Sequence, residues 1–292
     1  MKNIIIAFLL ILVSCAVIAQ ETEDVAMSTS SSQLTNKKGM AILPASGDFA
    51  LGVGAEPILD YFGNFFGKTN NNDFSFTDYT IYGKYYLSST TAVKASVLVS
   101  NSYNVTRFFV DDDAALYIDP LSETKTIDKR NYRSNSLSID LAYQKYRGYG
   151  RLQGFYGISV GYGYSRTVNK YQYGNTITED NQSPTSVTNW SSGTSSSVAE
   201  RTLETDGGLT RTISAGPVVG IEYFFAPKMS IGAEANLLYT HSWSTESNNK
   251  TERWENGRVR EVDTEVSPGN LSRSLRTYGL GTYGNLFFYF HF

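Results

Sequence analysis

Cysteine is nearly absent: the 292 residues hold one, Cys15. No intrachain disulfide framework and no cysteine metal site can form. Histidine is almost as scarce, with His241 and His291 alone. No excess of basic charge exists either, since 25 Lys and Arg face 28 Asp and Glu for a net charge of −3. That balance argues against nucleic acid, which wants clustered cations. Only the N-terminus carries a long apolar run, and mean hydropathy is −0.27, which excludes a helical membrane protein. Proline is limited to seven residues, and no glycine-rich phosphate loop is present: Gly161-Tyr162-Gly163 lies inside an alternating run.

Aromatic residues are plentiful, with 21 Tyr and 16 Phe, as two interfacial girdles require. The chain ends on LRTYGLGTYGNLFFYFHF. There Tyr278, Leu280, Leu286, Phe288, Phe290 and Phe292 fall on alternate positions, the period of a strand. Such a strand is about twice the usual globular length and stops on an aromatic. A membrane barrel closed by its last strand accounts for that, with the apolar face on lipid.

The N-terminus reads as a secretory signal peptide over 1–19: Lys2, the apolar Ile4 to Val13, then small residues before Gln20. Cleavage after Ala19 is the first reading, and a lipobox at Leu12 to Cys15 with acylated Cys15 is the second. Loss of Lys2 takes the net charge from −3 to −4. Residues 20–46 are polar and aperiodic and read as a flexible periplasmic leader. Residues 47–292 form the barrel.

Within the barrel, Phe49 to Ala55 is a first strand, and Pro57 to Phe66 interrupts the alternation. Tyr79 to Leu87 and Val93 to Phe109 make a pair, followed by Leu137 to Gln144 and Leu152 to Tyr164. Ile213 to Tyr223, Met229 to Leu237 and the C-terminal run complete eight strands. Tight connections near 88–90, 148–150 and 226–228 alternate with long ones near 57–76, 110–135, 174–210 and 242–270. This alternation predicts an all-β, transmembrane, antiparallel up-and-down barrel with periplasmic termini and four long external loops. Ten strands would need an extra pair, for example around Ala114 to Ile118. The 174–210 tract is Ser/Thr/Asn/Gly-rich and reads as too polar to pack.

Lys84, Lys94, Asp140, Glu222 and Glu234 all stand opposite the apolar faces of their strands. A Lys facing the bilayer midplane costs about 2–4 kcal/mol, so all five are expected inside. The turn near Ser89 sets Lys84 across from Lys94, a repulsion that the three acids can relieve. An eight-stranded barrel is barely wide enough for its own side chains, so a charge network plugging the lumen is favoured over an ion pathway. Other candidates are weaker. His241, Ser242, Ser244 and Glu246 contain the residue types of a lipid-deacylating triad, but neighbouring strand positions face opposite ways. Asp111 to Asp113 lacks the ligand spacing of a calcium loop and reads as a solvated tip. His291 reads as an interfacial residue at the periplasmic edge.

The Ala19-Gln20 junction, the entry segment GDFALGVGAEPILDYFGNFFG (Gly47 to Gly67) and the ending NLFFYFHF together resemble the small outer-membrane β-barrel proteins of Bacteroidota, in the OmpA/OmpX-like porin grouping. The resemblance implies an integral outer-membrane protein, not an enzyme, without cofactor or metal. No peptidoglycan-binding domain is expected after Phe292. The expected function is structural or surface-interacting, with loops 110–135, 174–210 and 242–270 available to an extracellular partner. A narrow porin is the alternative, and a lipid-modifying barrel enzyme the third reading. The expected partners are outer-membrane lipid and the barrel assembly machinery, for which Leu286, Phe288, Phe290 and Phe292 form the C-terminal signature. Deleting Phe292, or burying it under a C-terminal tag, is expected to impair membrane insertion; normal outer-membrane levels of the variant contradict this.

Overall fold

Long alternating runs become long strands. The computed structural model describes residues 34–54, 80–278 and 285–292. In chain order they form β1 (Phe49–Gly54), β2 (Thr80–Ser88), β3 (Thr91–Asp111), helix α1 (Asp113–Ile118), β4 (Lys125–Tyr149) and β5 (Leu152–Gln172). There follow β6 (Thr185–Asn189), β7 (Thr194–Ser197), β8 (Glu200–Ala226) and β9 (Met229–Ser244). The last four are β10 (Ser247–Glu255), β11 (Arg258–Ser267), β12 (Leu271–Tyr278) and β13 (Asn285–His291). β4 has 25 residues, which at about 3.3 Å per residue reaches roughly 80 Å.

Eleven strands make one antiparallel sheet, and β6 and β7 make a separate hairpin. From β1 the neighbours run β2, β3, β4, β5 and β8. β8 then carries β9 along its C-terminal part and β10 along its N-terminal part, both on one edge. β13, β12 and β11 succeed one another along the far edge of β9 and β10, and β13 pairs with β1. Register slips occur between Arg166 and Val168 and between Ser247 and Asn248. Gly208 and Gly269 adopt left-handed φ of 76° and 89° at the same height, where the Thr245 amide donates to the Leu209 carbonyl. Below this break the ladders shift again near the tight turns, at Tyr86/Ser88 and Tyr223/Ala226; above it β10 and β11 extend the sheet, while the β3–β4 and β4–β5 ladders run through without a shift.

Several expectations change. The described residues hold thirteen strands where eight are expected: four lie in tracts expected as loops, and the C-terminal run is described as two, β12 and β13. β10 and β11 fill the 242–270 connection, turned by Asn256-Gly257 with φ of 54° and 74°, the left-handed pair that a two-residue hairpin demands. Ala114 to Ile118 is helical, not an extra strand, because the Asp112 carboxylate accepts the amides of Ala114 and Ala115 and caps it. Within the expected leader, residues 34–46 make specific contacts: Thr35 bridges Ala41, Ile42 is 3% exposed, and the Ser46 hydroxyl donates to the Leu87 carbonyl at 2.9 Å. The signal peptide with Cys15, residues 20–33 and the Pro57 to Phe66 interruption lie outside the described residues, as does the stretch containing Leu280.

Alternation gives the sheet two unlike faces. One carries exposed apolar side chains on every long strand, among them Leu51, Ile81, Val99, Ile158, Ile221 and Leu275. The other meets itself: β2 and β8 are four pairings apart, about 19 Å along the sheet, yet Lys84 reaches Glu222 at 2.8 Å. The sheet is therefore strongly curled, with the charged face concave. Curling presses neighbouring backbones together at glycines. A Cβ on Gly216 would stand 1.9 Å from the Leu237 carbonyl oxygen, whereas nothing lies within 4 Å of one on Gly54. Gly216→Ala is expected to destabilise by about 1–3 kcal/mol, and Gly54→Ala to stay within about 0.5 kcal/mol. Urea midpoints of the refolded variants check both.

Candidate functional site

Near the tight turns the concave face is filled by large side chains. Ala50, Tyr86, Tyr146, Phe155, Phe287 and Tyr289 belong to one buried cluster, and Lys84 lies inside it, 1% exposed. Its ammonium donates to the Tyr146 hydroxyl at 2.7 Å and to Glu222 Oε2 at 2.8 Å, and stands 4.1 Å from the Tyr289 ring centroid. Glu222, fully buried, also accepts from Tyr146 at 2.9 Å and from Ser230 at 2.6 Å. Because the single Ser230 proton is used on Glu222, His291 Nε2 must be the donor in its 2.9 Å contact with Ser230 Oγ. His291 is thus a buried member of the network, not the interfacial residue expected. Its ring packs on Phe224 at 5.3 Å and Tyr86 at 5.7 Å.

Lys84 and Lys94 are directly opposed in the β2–β3 register. Each is answered by a carboxylate from across the concave face, Lys94 by Glu234 at 2.5 Å, with the Tyr82 ring centroid 4.5 Å from its ammonium. Four of the five inward charges therefore form two buried ion pairs. Asp140 differs: it accepts from the Ser138 hydroxyl at 3.3 Å and joins no ion pair among the described residues. It leans across Gly161, where a Cβ would stand 2.1 Å from Asp140 Oδ1 and 2.5 Å from Ser214 Oγ. Beside Ser138 opens a cavity of about 270 Å³ lined by Ser136, Ser138, Ser165, Thr212 and Ser214 together with Leu98, Leu137, Tyr162 and Tyr164.

The 174–210 tract, expected to be unpacked, folds onto the concave face at the far end of the long strands. Asp128 is fully buried and accepts the amides of Gly174 at 2.9 Å and Val187 at 2.8 Å. Arg201 donates to Glu252 at 2.7 Å, to the Asn175 carbonyl at 2.7 Å and to Ser186 Oγ at 3.0 Å, and lies 4.4 Å over the Tyr173 ring. Burial raises the Tyr173 phenol above its ordinary value, which suits the hydrogen bond it donates to the Thr202 carbonyl. Trp190, at the tip between β6 and β7, packs against Tyr171 at 5.4 Å and Phe108 at 6.2 Å. A polar tract packs here because its buried polar side chains Asn175 and Ser186, and Arg201 that grips them, all find partners.

The Asp111 to Asp113 run is absorbed by this packing. Asp111 pairs with Lys125, Asp112 caps α1, and Asp113 accepts from Asn181 at 2.8 Å and the Thr185 amide at 2.7 Å. Among the described residues no group of three or more acids, histidines or cysteines is placed to hold a metal. His241 and Ser242 face opposite sides: His241 Nδ1 accepts from Arg273 at 3.4 Å, while Ser242 Oγ lies 2.9 Å from Thr212 Oγ1. Ser244 Oγ accepts the Asn270 amide. The three do not converge as nucleophile, base and orienter.

No protein-family model matches the chain. No curated protein matches its sequence either. The arrangement itself therefore has to carry the functional reading.

Leu286, Phe288, Phe290 and Phe292 share the convex face of β13 and its end, with Phe290 and Phe292 exposed. The intervening Phe287, Tyr289 and His291 are buried on the concave side. Sequence reasoning missed Tyr146, Ser230 and His291 in the charge network, although their parity with Gln144, Glu234 and Phe287 was a usable signal. Removing one partner of a buried pair strands the other charge. Lys84→Met is expected to cost about 3–5 kcal/mol, and the K84M/E222L double variant to recover most of it. Urea unfolding decides: a double variant as unstable as K84M contradicts the pairing.

Proposed function

We propose that the chain is an integral outer-membrane β-barrel with a structural or surface-interaction role and an obstructed lumen. The observation that carries this reading is the Lys84–Glu222 pair. Counted either way round the pairings, through β3, β4 and β5 or through β1, β13 and β9, its two strands are four steps apart. Lys94 and Glu234 stand in the same relation, so both pairs span the diameter of an eight-stave ring. In this count β9 with β10 is one stave, and β11 with β12 and β13 is another.

The convex face supports a membrane setting. On β5, Tyr156, Ile158 and Val160 are each half or more exposed, and apolar rows of this kind recur at alternate positions on every neighbouring long strand. A run from Leu152 to Tyr164, tilted by about 40°, rises about 30 Å, enough for the hydrocarbon layer. The aromatic rim made by Phe49, Tyr85, Tyr149, Tyr223 and Phe292 suits the periplasmic interface. Export by the N-terminal segment, insertion by the barrel assembly machinery and kinship with the Bacteroidota small-barrel group belong to the same proposal. The in-folded 174–201 tract and the exposed α1 tip, with Tyr117, Ile118 and Leu121, are the surfaces available to an extracellular partner.

A narrow solute channel is the second reading, favoured by the cavity beside Ser138. The ion-paired floor beneath it argues for a blind cup. Planar-bilayer recordings of the purified protein are expected to give no stable, large conductance. A steady open level removed by deleting residues 176–198 would instead assign the channel reading.

A further inference from the structure

On the convex face, cations gather where the apolar band ends. Cross-strand register sets Tyr164, Arg211 and Trp243 in one row on β5, β8 and β9. The next row down holds Tyr162, Ile213, His241 and Arg273. Below that lie Val160, Ala215, Tyr239 and Leu275, a row that is apolar throughout. Arg166 stands one row above, bonded to Asp206, and that pairing depresses the Asp206 carboxyl.

Arg211 and Arg273 have no such partner. Among the described residues Arg211 makes no ion pair or side-chain hydrogen bond, and Arg273 bonds only His241. Of the nearby carboxylates, Asp206 is engaged by Arg166 and Glu204 by Lys170, and Glu246, three residues beyond Trp243, pairs with neither Arg211 nor Arg273 among the described residues. Their strands are two steps apart, about 10 Å. Aromatic residues are the register neighbours of both arginines, Tyr164 and Trp243 of Arg211 and His241 of Arg273, and the His241 and Trp243 rings lie 5.6 Å apart. Arginine forks match phosphate oxygens two at a time, and lipid-level cations beside Tyr and Trp fit a headgroup layer.

We propose that this patch binds the phosphate-bearing headgroup of an outer-leaflet glycolipid, with Arg211 and Arg273 on phosphate and the acyl chains lying on the Val160, Tyr239 and Leu275 row. The apolar row directly beneath selects a lipid over free phosphate. The inference rests on the membrane reading above and names the lipid class that the barrel holds.

The test uses full-length protein in neutral detergent micelles, with native mass spectrometry reading retained lipid. The probes are monophosphoryl lipid A, the same lipid dephosphorylated, and inorganic phosphate as competitor. The phosphorylated lipid is expected to be retained about tenfold more strongly, and R211Q/R273Q to lose that preference, as forfeited charge-assisted bonds imply. Arg258→Gln, on the exposed hairpin strand β11, should retain it. Equal retention of both lipids, an unchanged R211Q/R273Q variant, or displacement by millimolar phosphate overturns the assignment. Flotation with phosphatidylcholine vesicles separates the two failures. Protein that floats without lipid preference defeats this inference alone, and protein that does not float defeats the membrane reading with it.

Discussion

Two lysines face each other across one hairpin, and neither finds an ion-pair partner on β2, β3 or β4. Lys84 and Lys94 are held opposite by the β2–β3 register, so their countercharges must come from the far side of the curled sheet. Glu222 and Glu234 supply them from β8 and β9. Neither pair can form unless the sheet curls far enough to bring strands four pairings apart into contact. Breaking one pair leaves a buried charge, and the low-dielectric surroundings make that state expensive. The aromatic cluster around Lys84 packs at the same level, so curvature, charge and core are fixed together.

Size then decides what each level of the concave face can hold. At the turn end, rings and charged groups fill the space. Midway, serine, threonine and glycine replace them, and the sheet leaves a small open cavity of mixed lining there. At the far end a tract of the chain itself turns inward, held by Asp128, Asn175 and Arg201 through main-chain bonds. Main-chain recognition explains how a segment of such low complexity keeps one conformation: its serines need not be distinctive when the framework grips its amides and carbonyls.

Period-two alternation made the lower sheet legible, because one face must be apolar and the other must take the charges. Lys84, Lys94, Glu222 and Glu234 could be sided from that rule alone. Their pairing could not, since it depends on which strands lie opposite. β10 and β11 carried a signal that was passed over: Asn256-Gly257 between alternating runs is a hairpin turn, but the charged residues around it read as loop. The inward fold of 174–201 left no periodic mark, because it is held by polar contacts at separations of 15 to 72 residues. His291 was misjudged from its place near the chain end, although its parity matched Phe287 and Tyr289.

The break line at Arg166, Gly208, Thr245 and Gly269 divides β8, β9 and β10 by register, while the β3–β4 and β4–β5 ladders cross it unbroken. Strand register below it is set by the tight turns and the ion pairs; register above it is reset by each slip. Length changes in β10, β11 or the start of β8 are therefore absorbed at the seam and do not propagate to Glu222 or Glu234. Changes in the hairpin beyond the seam are thereby uncoupled from the ion-paired frame. A chain built this way keeps a fixed frame and a replaceable face.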